Sequence, residues 1–348
     1  MVILRLTKRI ANPGHDCRTR RGNLKGEIRN AKFENGALGL CGAALGWAIL
    51  WVTRKSMSLT AVRLWLLGPA GKNRLVESMK GLFFILTVVA YGGSLALYLR
   101  FLSTGKEIAG RLATLLLGLG LVAHYFALLE RSRGLHTVPY HDLYGSMSLF
   151  GWLLALTYLG LELFHRQRSV GAFVLPFIIV FFVAAHLAPA DRLSPAPAKG
   201  AIFAFHVTLS ILAYAAFALS FVFSLIFLGE ERLLRSRKMS DVVWRLPPLE
   251  LLERMSRSSV LVGLLSIAIG TVLGFVWVDR LHGQIWYYDP KYVITLLVLL
   301  LYVLYFHLAR TAAWRGARAS RLCIFNFFVV VMSFTVVNLY LSQSHRYF

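Results

Sequence analysis

The sequence predicts an all-α fold: a polytopic helical bundle in a membrane, with about eight core transmembrane helices. Three observations predict it. Hydrophobic residues make up 57% of the 348, and mean hydropathy is +0.62, more apolar surface than a water-soluble core needs. Apolar runs of about eighteen residues or more recur, each long enough to cross a hydrocarbon layer as a helix. Between these runs the ionisable residues gather into short polar stretches, the distribution that Lys and Arg take in a lipid-embedded chain.

The same composition excludes several functions. The formal net charge of +22 does not point to nucleic acid, because no stretch interleaves basic residues with exposed aromatics. Cys17, Cys41 and Cys323 stand far apart and form no C-x-x-C pair. That leaves neither a thiol redox motif nor a thiolate metal cluster, so any cofactor chemistry rests on histidines and aromatics.

Taken in order, the chain opens on a basic leader, residues 1–78, holding fourteen basic and four acidic residues for a net of +10. Residues 1–35 are polar and aperiodic and are expected to be disordered. Residues 36–52 are apolar and rich in Gly and Ala, and two readings stay open for them: a marginal extra span, or part of the leader. Met79-Lys-Gly-Leu-Phe-Phe reads as the natural start of a membrane protein, so the leader is expected to be an upstream start-site artefact or dispensable.

From Met79 the pattern is regular, with spans expected at 79–103, 108–130, 143–164, 169–188, 201–228, 258–278, 291–309 and 321–342. Placing the 229–257 and 310–320 loops in the cytoplasm puts sixteen of the twenty-four core Lys and Arg inside. Both ends of the 79–348 domain then face outward. In the long inner loop, Leu246-Pro-Pro-Leu-Glu-Leu-Leu-Glu-Arg has helical apolar spacing after a proline pair, and it reads either as a short interfacial helix or as a solvated linker.

This topology sorts the histidines. His206 lies a little way into the fifth span, His345 lies just beyond the eighth, and the aromatic loop 280–291, with Trp286, Tyr288 and Asp289, is on the same outer side. Aromatic rings offer stacking area and imidazoles offer axial nitrogens, a combination that suits a flat porphyrin. An imidazole in a membrane helix otherwise answers a structural hydrogen bond. His307, near the inner end of the seventh span, cannot share a metal with the outer pair, so it marks either a second site or an interfacial side chain. Whether His124, in the second span, pairs with His307 stays open. His136, His141 and Asp142 form either a small metal site or a plain loop, and His15 and His165 suggest no role. Asp289 before Pro290 is placed to cap the seventh span.

The pieces together resemble a known family, the haem-handling cytochrome c assembly proteins of the CcsA/ResC type with their HemX-like relatives. The resemblance covers about residues 79–348. It is carried by Pro139-Tyr-His-Asp-Leu-Tyr-Gly-Ser, Phe205-His-Val-Thr-Leu-Ser, Gly274-Phe-Val-Trp, His282-Gly-Gln-Ile-Trp-Tyr-Tyr-Asp-Pro-Lys, Tyr305-Phe-His-Leu-Ala-Arg and Val337-Asn-Leu-Tyr-Leu-Ser-Gln-Ser-His. It implies haem b as cofactor, bound at the tryptophan-rich "WWD" loop with His206 and His345 as axial ligands to the haem iron and Trp286, Tyr288 and Asp289 in the loop. It further implies His307 as a transit ligand, shared with a CcsB/ResB-like membrane partner. The function implied is delivery of haem to apocytochrome c at the outer face of a bacterial inner membrane, in system II cytochrome c biogenesis, with the chain as a possible haem lyase component beside that partner. Two family tryptophans are replaced here by His282 and Tyr288, and a glutamate by Tyr292. These departures keep a second reading open, a HemX-like protein of tetrapyrrole metabolism without ligation chemistry. A small-solute transporter would need midplane charges, and the spans carry little ionised beyond Glu162 and histidines.

Overall fold

A computed structural model describes residues 69–135, 143–187, 200–236, 245–282 and 290–336. The chain divides between Val76 and Glu77 into two units, and the packing below is that of the second, which takes in all but the first turns of the first helix. The leader's apolar segment at 36–52 lies outside the described residues.

Eight α-helices make up the described fold: α1 Pro69–Thr104, α2 Glu107–Leu135, α3 Leu143–His165, α4 Gly171–Leu187, α5 Gly200–Arg235, α6 Leu249–His282, α7 Pro290–Leu308 and α8 Ala317–Val336. No strand occurs among the described residues. By length and composition five helices can cross a membrane, namely α1, α2, α3, α5 and α6; α4 and the Tyr292–Leu308 part of α7 are shorter apolar helices. At the helical rise, the 17 residues of α4 span about 25 Å. Each expected span falls within a helix or overlaps most of one, because hydrocarbon solvent leaves the backbone no partner except itself.

Turn chemistry sets the connections. Gly105 ends α1 with φ +71°, and its N–H donates to the Phe101 carbonyl at 2.8 Å, a left-handed cap that glycine adopts without a Cβ penalty. The α3–α4 turn takes the same region at Arg166, φ 54°, and is closed by Gln167 N–H donating to the Glu162 carbonyl at 3.2 Å.

One expectation is corrected here. The 246–254 segment is neither a separate interfacial helix nor a solvated linker: from Leu249 it belongs to α6, which runs unbroken for 34 residues to His282. Pro247 and Pro248 stand ahead of its first turn, where missing N–H groups cost nothing, so they start a long helix rather than isolating a short one. α5 likewise continues through the charged stretch to Arg235.

The long antiparallel pair α5–α6 is the spine. On one side α1–α4 form a lobe whose core joins Tyr91 and Tyr98 of α1, Leu117 of α2, Tyr158 of α3 and Ile178 of α4 to Leu219 and Phe223 of α5. On the other side α7 and α8 pack Tyr302, Tyr305 and Cys323 against Phe217 and Val260 of the spine, with Phe217 stacked on Tyr302 at 3.7 Å. Polar side chains tie helix to helix by reaching backbone carbonyls: Ser94 to Ala113 at 2.8 Å, Ser259 to Ala216 at 2.7 Å, and Asn326 to Leu301 at 3.0 Å. In the first lobe, buried Glu162 accepts from Tyr98 at 2.5 Å and from Thr114, so one carboxyl joins α1, α2 and α3. The outward faces carry Ile108, Leu115, Val180, Leu265, Leu300 and Phe328; in water such a surface would be a liability, and in lipid it is the expected one.

Candidate functional site

The site begins where α5 meets the far end of α6. His206 lies within the first turns of α5 and is half-buried. Its Nδ1 sits 2.7 Å from the Gly270 carbonyl of α6. A carbonyl oxygen only accepts, so Nδ1 carries the proton and donates it. The lone pair of the neutral ring then belongs to Nε2, the tautomer needed by a histidine that ligates a metal through Nε2. The ring lies over Gly274: a Cβ built there would stand 2.8 Å from both Cε1 and Nδ1.

Aromatic side chains gather at the same end. Phe203, one turn before His206, packs on Trp277 of α6 with ring centroids 4.6 Å apart, and Phe203 and His206 rings are 6.2 Å apart. Phe275 stacks on Tyr292 at the start of α7, 5.4 Å between centroids. α6 and α7 thus bring their aromatic ends together on either side of the 283–289 loop. Trp286, Tyr288 and Asp289 of that loop, and His345, lie outside the described residues, as do His136, His141 and Asp142.

His307 is elsewhere. It is exposed near the end of α7, on the turn after Val303 and Leu304, which are exposed as well. The buried Tyr305 beside it donates to or accepts from Ser256 of α6 at 3.1 Å. From Ser256 to Gly270 is roughly 20 Å along α6, so His206 and His307 belong to opposite ends of the spine, as the span depths require. Arg310 covers the Phe306 ring at 4.3 Å.

Three further histidines, His124, His165 and His186, have structural partners. His124 is fully buried, with Nδ1 3.2 Å from the Tyr91 hydroxyl and Nε2 3.1 Å from that of Ser148. Both nitrogens are used inside the first lobe, which answers the open pairing: His124 does not meet His307. His186 donates from Nδ1 to the Phe182 carbonyl one turn earlier, at 2.9 Å. His165 reaches Ser258 at 3.0 Å and so links α3 to α6. Among the described residues no group of three His, Cys, Asp or Glu side chains converges to hold a metal ion.

The model of the family described as "Cytochrome C assembly protein" matches residues 140–345, a stretch that contains His206, the aromatic loop, His307 and His345. The chain belongs to that family. Similar proteins include the "Cytochrome c biogenesis protein CcsA" of Heterosigma akashiwo, 26% identical over 259 residues, covering 64% of this chain and 80% of that protein. That of Parasynechococcus marenigrum is 28% identical over 235 residues, 60% of this chain and 77% of its own. The "Protein HemX" of Brevibacillus brevis is 27% identical over 259 residues, 72% of this chain and 92% of its own.

As a cytochrome c assembly protein the chain is an integral membrane protein, and at one position its described residues set an imidazole held by its Nδ1 proton beside an aromatic wall. Three members of that wall and its support carried no assigned role in the sequence. Trp277 stood in a quoted motif, and its position beside Phe203 follows only once α5 and α6 are paired. Gly270 and Gly274 are ordinary membrane-helix glycines until the ring above them is known.

Proposed function

We propose that this protein binds haem b through His206 and His345, above the loop bearing Trp286, Tyr288 and Asp289, and delivers it to apocytochrome c on the outer face of a bacterial inner membrane. The observation that supports this most is the His206 Nδ1–H bond to Gly270, which gives the ring the tautomer of an axial ligand. Iron in the porphyrin supplies the Lewis acid that two neutral imidazoles satisfy. The chain's own contribution is orientation: spine helices hold His206 at a set depth, and aromatic faces offer stacking area for a flat ring. Charge bias in the loops supports the outward placement of that end.

His307, exposed on a lipid-facing stripe of α7, is the transit ligand of this reading. An imidazole there faces outside the bundle, where a CcsB/ResB-like partner would supply a second one. Replacing His307 by Ala should lower haem that co-purifies with the complex and leave membrane insertion unchanged; equal haem content would reduce it to an interfacial residue.

The deciding experiment removes the outer imidazoles. His206→Gly or His345→Gly should abolish cytochrome c maturation, and added imidazole should restore part of it by filling the vacated coordination position. His136→Gly and His165→Gly should mature cytochrome c like the parent. Parent-like maturation in both outer variants would favour the second reading, a HemX-like role in tetrapyrrole metabolism. That reading is supported by alignment over 92% of the Brevibacillus protein and by His282 and Tyr288 standing where the family has tryptophan.

A further inference from the structure

We propose that Gly274 is a positioning residue: by lacking a Cβ it opens the Gly270 carbonyl to His206 and locks that imidazole in its Nδ1–H form. In an α-helix the carbonyl of Gly270 already accepts the N–H of residue 274, and its second lone pair looks outward past the side chain of that same residue. Cβ atoms tilt toward the helix N-terminus, so a side chain at 274 stands over the carbonyl four residues earlier. With glycine at 274 the neighbouring helix can lay a ring there. His206 does so, with its Nδ1 2.7 Å from the oxygen and its Cε1 and Nδ1 each 2.8 Å from where a Cβ would be.

The two glycines are not equivalent. A Cβ at Gly270 would meet Leu209 Cβ and Ser210 Oγ at 3.4 Å and the His206 carbonyl at 3.5 Å, which is ordinary contact. Gly270 therefore contributes its oxygen, and any residue supplies one. Gly274 contributes empty space, and only glycine supplies that. Ser210 Oγ adds a further restraint by donating to the His206 carbonyl at 2.8 Å, which ties this turn of α5.

A carbonyl partner on Nδ1–H makes the imidazole a stronger donor at Nε2 and fixes its ring plane. If His206 is the axial ligand proposed above, Gly274 thereby sets both the retention and the reduction potential of the bound haem. The tautomer itself does not depend on that reading, which separates the two tests.

The first measurement uses the full chain purified without haem and labelled with nitrogen-15 histidine, the His206 signals being assigned by their loss in His206→Gln. In the parent His206 should show a protonated Nδ1 and an unprotonated Nε2. Gly274→Ala should convert it to the Nε2–H form that histidine prefers in water, while Gly270→Ala and Gly118→Ala, the latter with nothing within 4 Å of its Cβ position, should keep the parent pattern. In haem-loaded protein Gly274→Ala should raise the midpoint potential and cut haem retention by about tenfold or more. A parent His206 in the Nε2–H form overturns the proposal without any variant, as does an unchanged tautomer in Gly274→Ala. If the tautomers behave as stated and the parent holds no haem, the positioning role stands and the haem reading falls.

Discussion

In the α1–α4 lobe His124 is bonded at both nitrogens by hydroxyls of two neighbouring helices, and the ring is wholly enclosed. On the spine His206 spends its Nδ1–H on a backbone carbonyl and sits half-buried at an aromatic end. Both are imidazoles inside apolar helices, and the difference lies in the partner. A hydroxyl can donate or accept, so Tyr91 and Ser148 fit either tautomer of His124 and the ring serves as a cross-link. A carbonyl accepts only, so it selects one tautomer and aims the remaining nitrogen's lone pair away from itself. Between these two the partner's chemistry, more than depth in the membrane, makes the difference; His186 also meets a carbonyl, but one on its own helix, whereas His206 meets that of a neighbouring helix.

The largest effect that should follow separates the two by substitution. His124→Ala leaves a cavity and two orphaned hydroxyls, and should cost about 3 kcal/mol or more, seen as a lower thermal unfolding midpoint in detergent with haem content per folded molecule unchanged. His206→Ala should cost under about 1 kcal/mol, in line with interhelical hydrogen bonds in membranes, while haem absorbance disappears. Reversal of this pattern, with His206→Ala unfolding the protein and His124→Ala bleaching it, would break the comparison.

Glu162 sharpens it. Like His124 it is a buried polar group met by hydroxyls, so its role should be cross-linking. Glu162→Leu should destabilise the lobe by about 2 kcal/mol through the stranded Tyr98 and Thr114 hydroxyls, and Glu162→Gln by less, with haem binding unaltered in both; the check is the same pair of unfolding and absorbance measurements. A haem defect in Glu162→Gln would mean that the first lobe shares in the site. The smallest effect concerns the spine's own polar ties. Ser259→Ala, which removes the bond to the Ala216 carbonyl, should cost about 0.6 kcal/mol and leave the absorption spectrum as in the parent.

The helices were legible because hydropathy reads spans directly, and the boundaries drifted where charge misled. Glu230 to Arg235 looked like loop, yet backbone hydrogen bonding carries α5 through it; the segment after Pro247 and Pro248 looked like a short interfacial helix or a linker, yet it is the opening of the long α6. His206 stood out as an uncommon membrane imidazole, and its separation from His307 followed from counting residues. What could not be read was the rotational phase of one helix against the next. That phase decides that His124 faces Tyr91 and Ser148, that Trp277 meets Phe203, and that Gly274 lies under a ring. Trp286, Tyr288, Asp289 and His345 keep the standing that the family resemblance gave them.

The central spine has a consequence for the order in which the protein is made. Helices α1–α4 are synthesised before α5, yet their core includes Leu219 and Phe223 of α5 and Leu252 and Met255 of α6. The nascent lobe therefore enters the bilayer with an unfilled flank and acquires its packing only when the fifth helix arrives. His206 is among the first residues of that helix to emerge, while Gly270 follows a full membrane crossing later. The imidazole is in the bilayer before the carbonyl that will orient it has been translated, so the ring's orientation is fixed only once the sixth helix has followed the fifth.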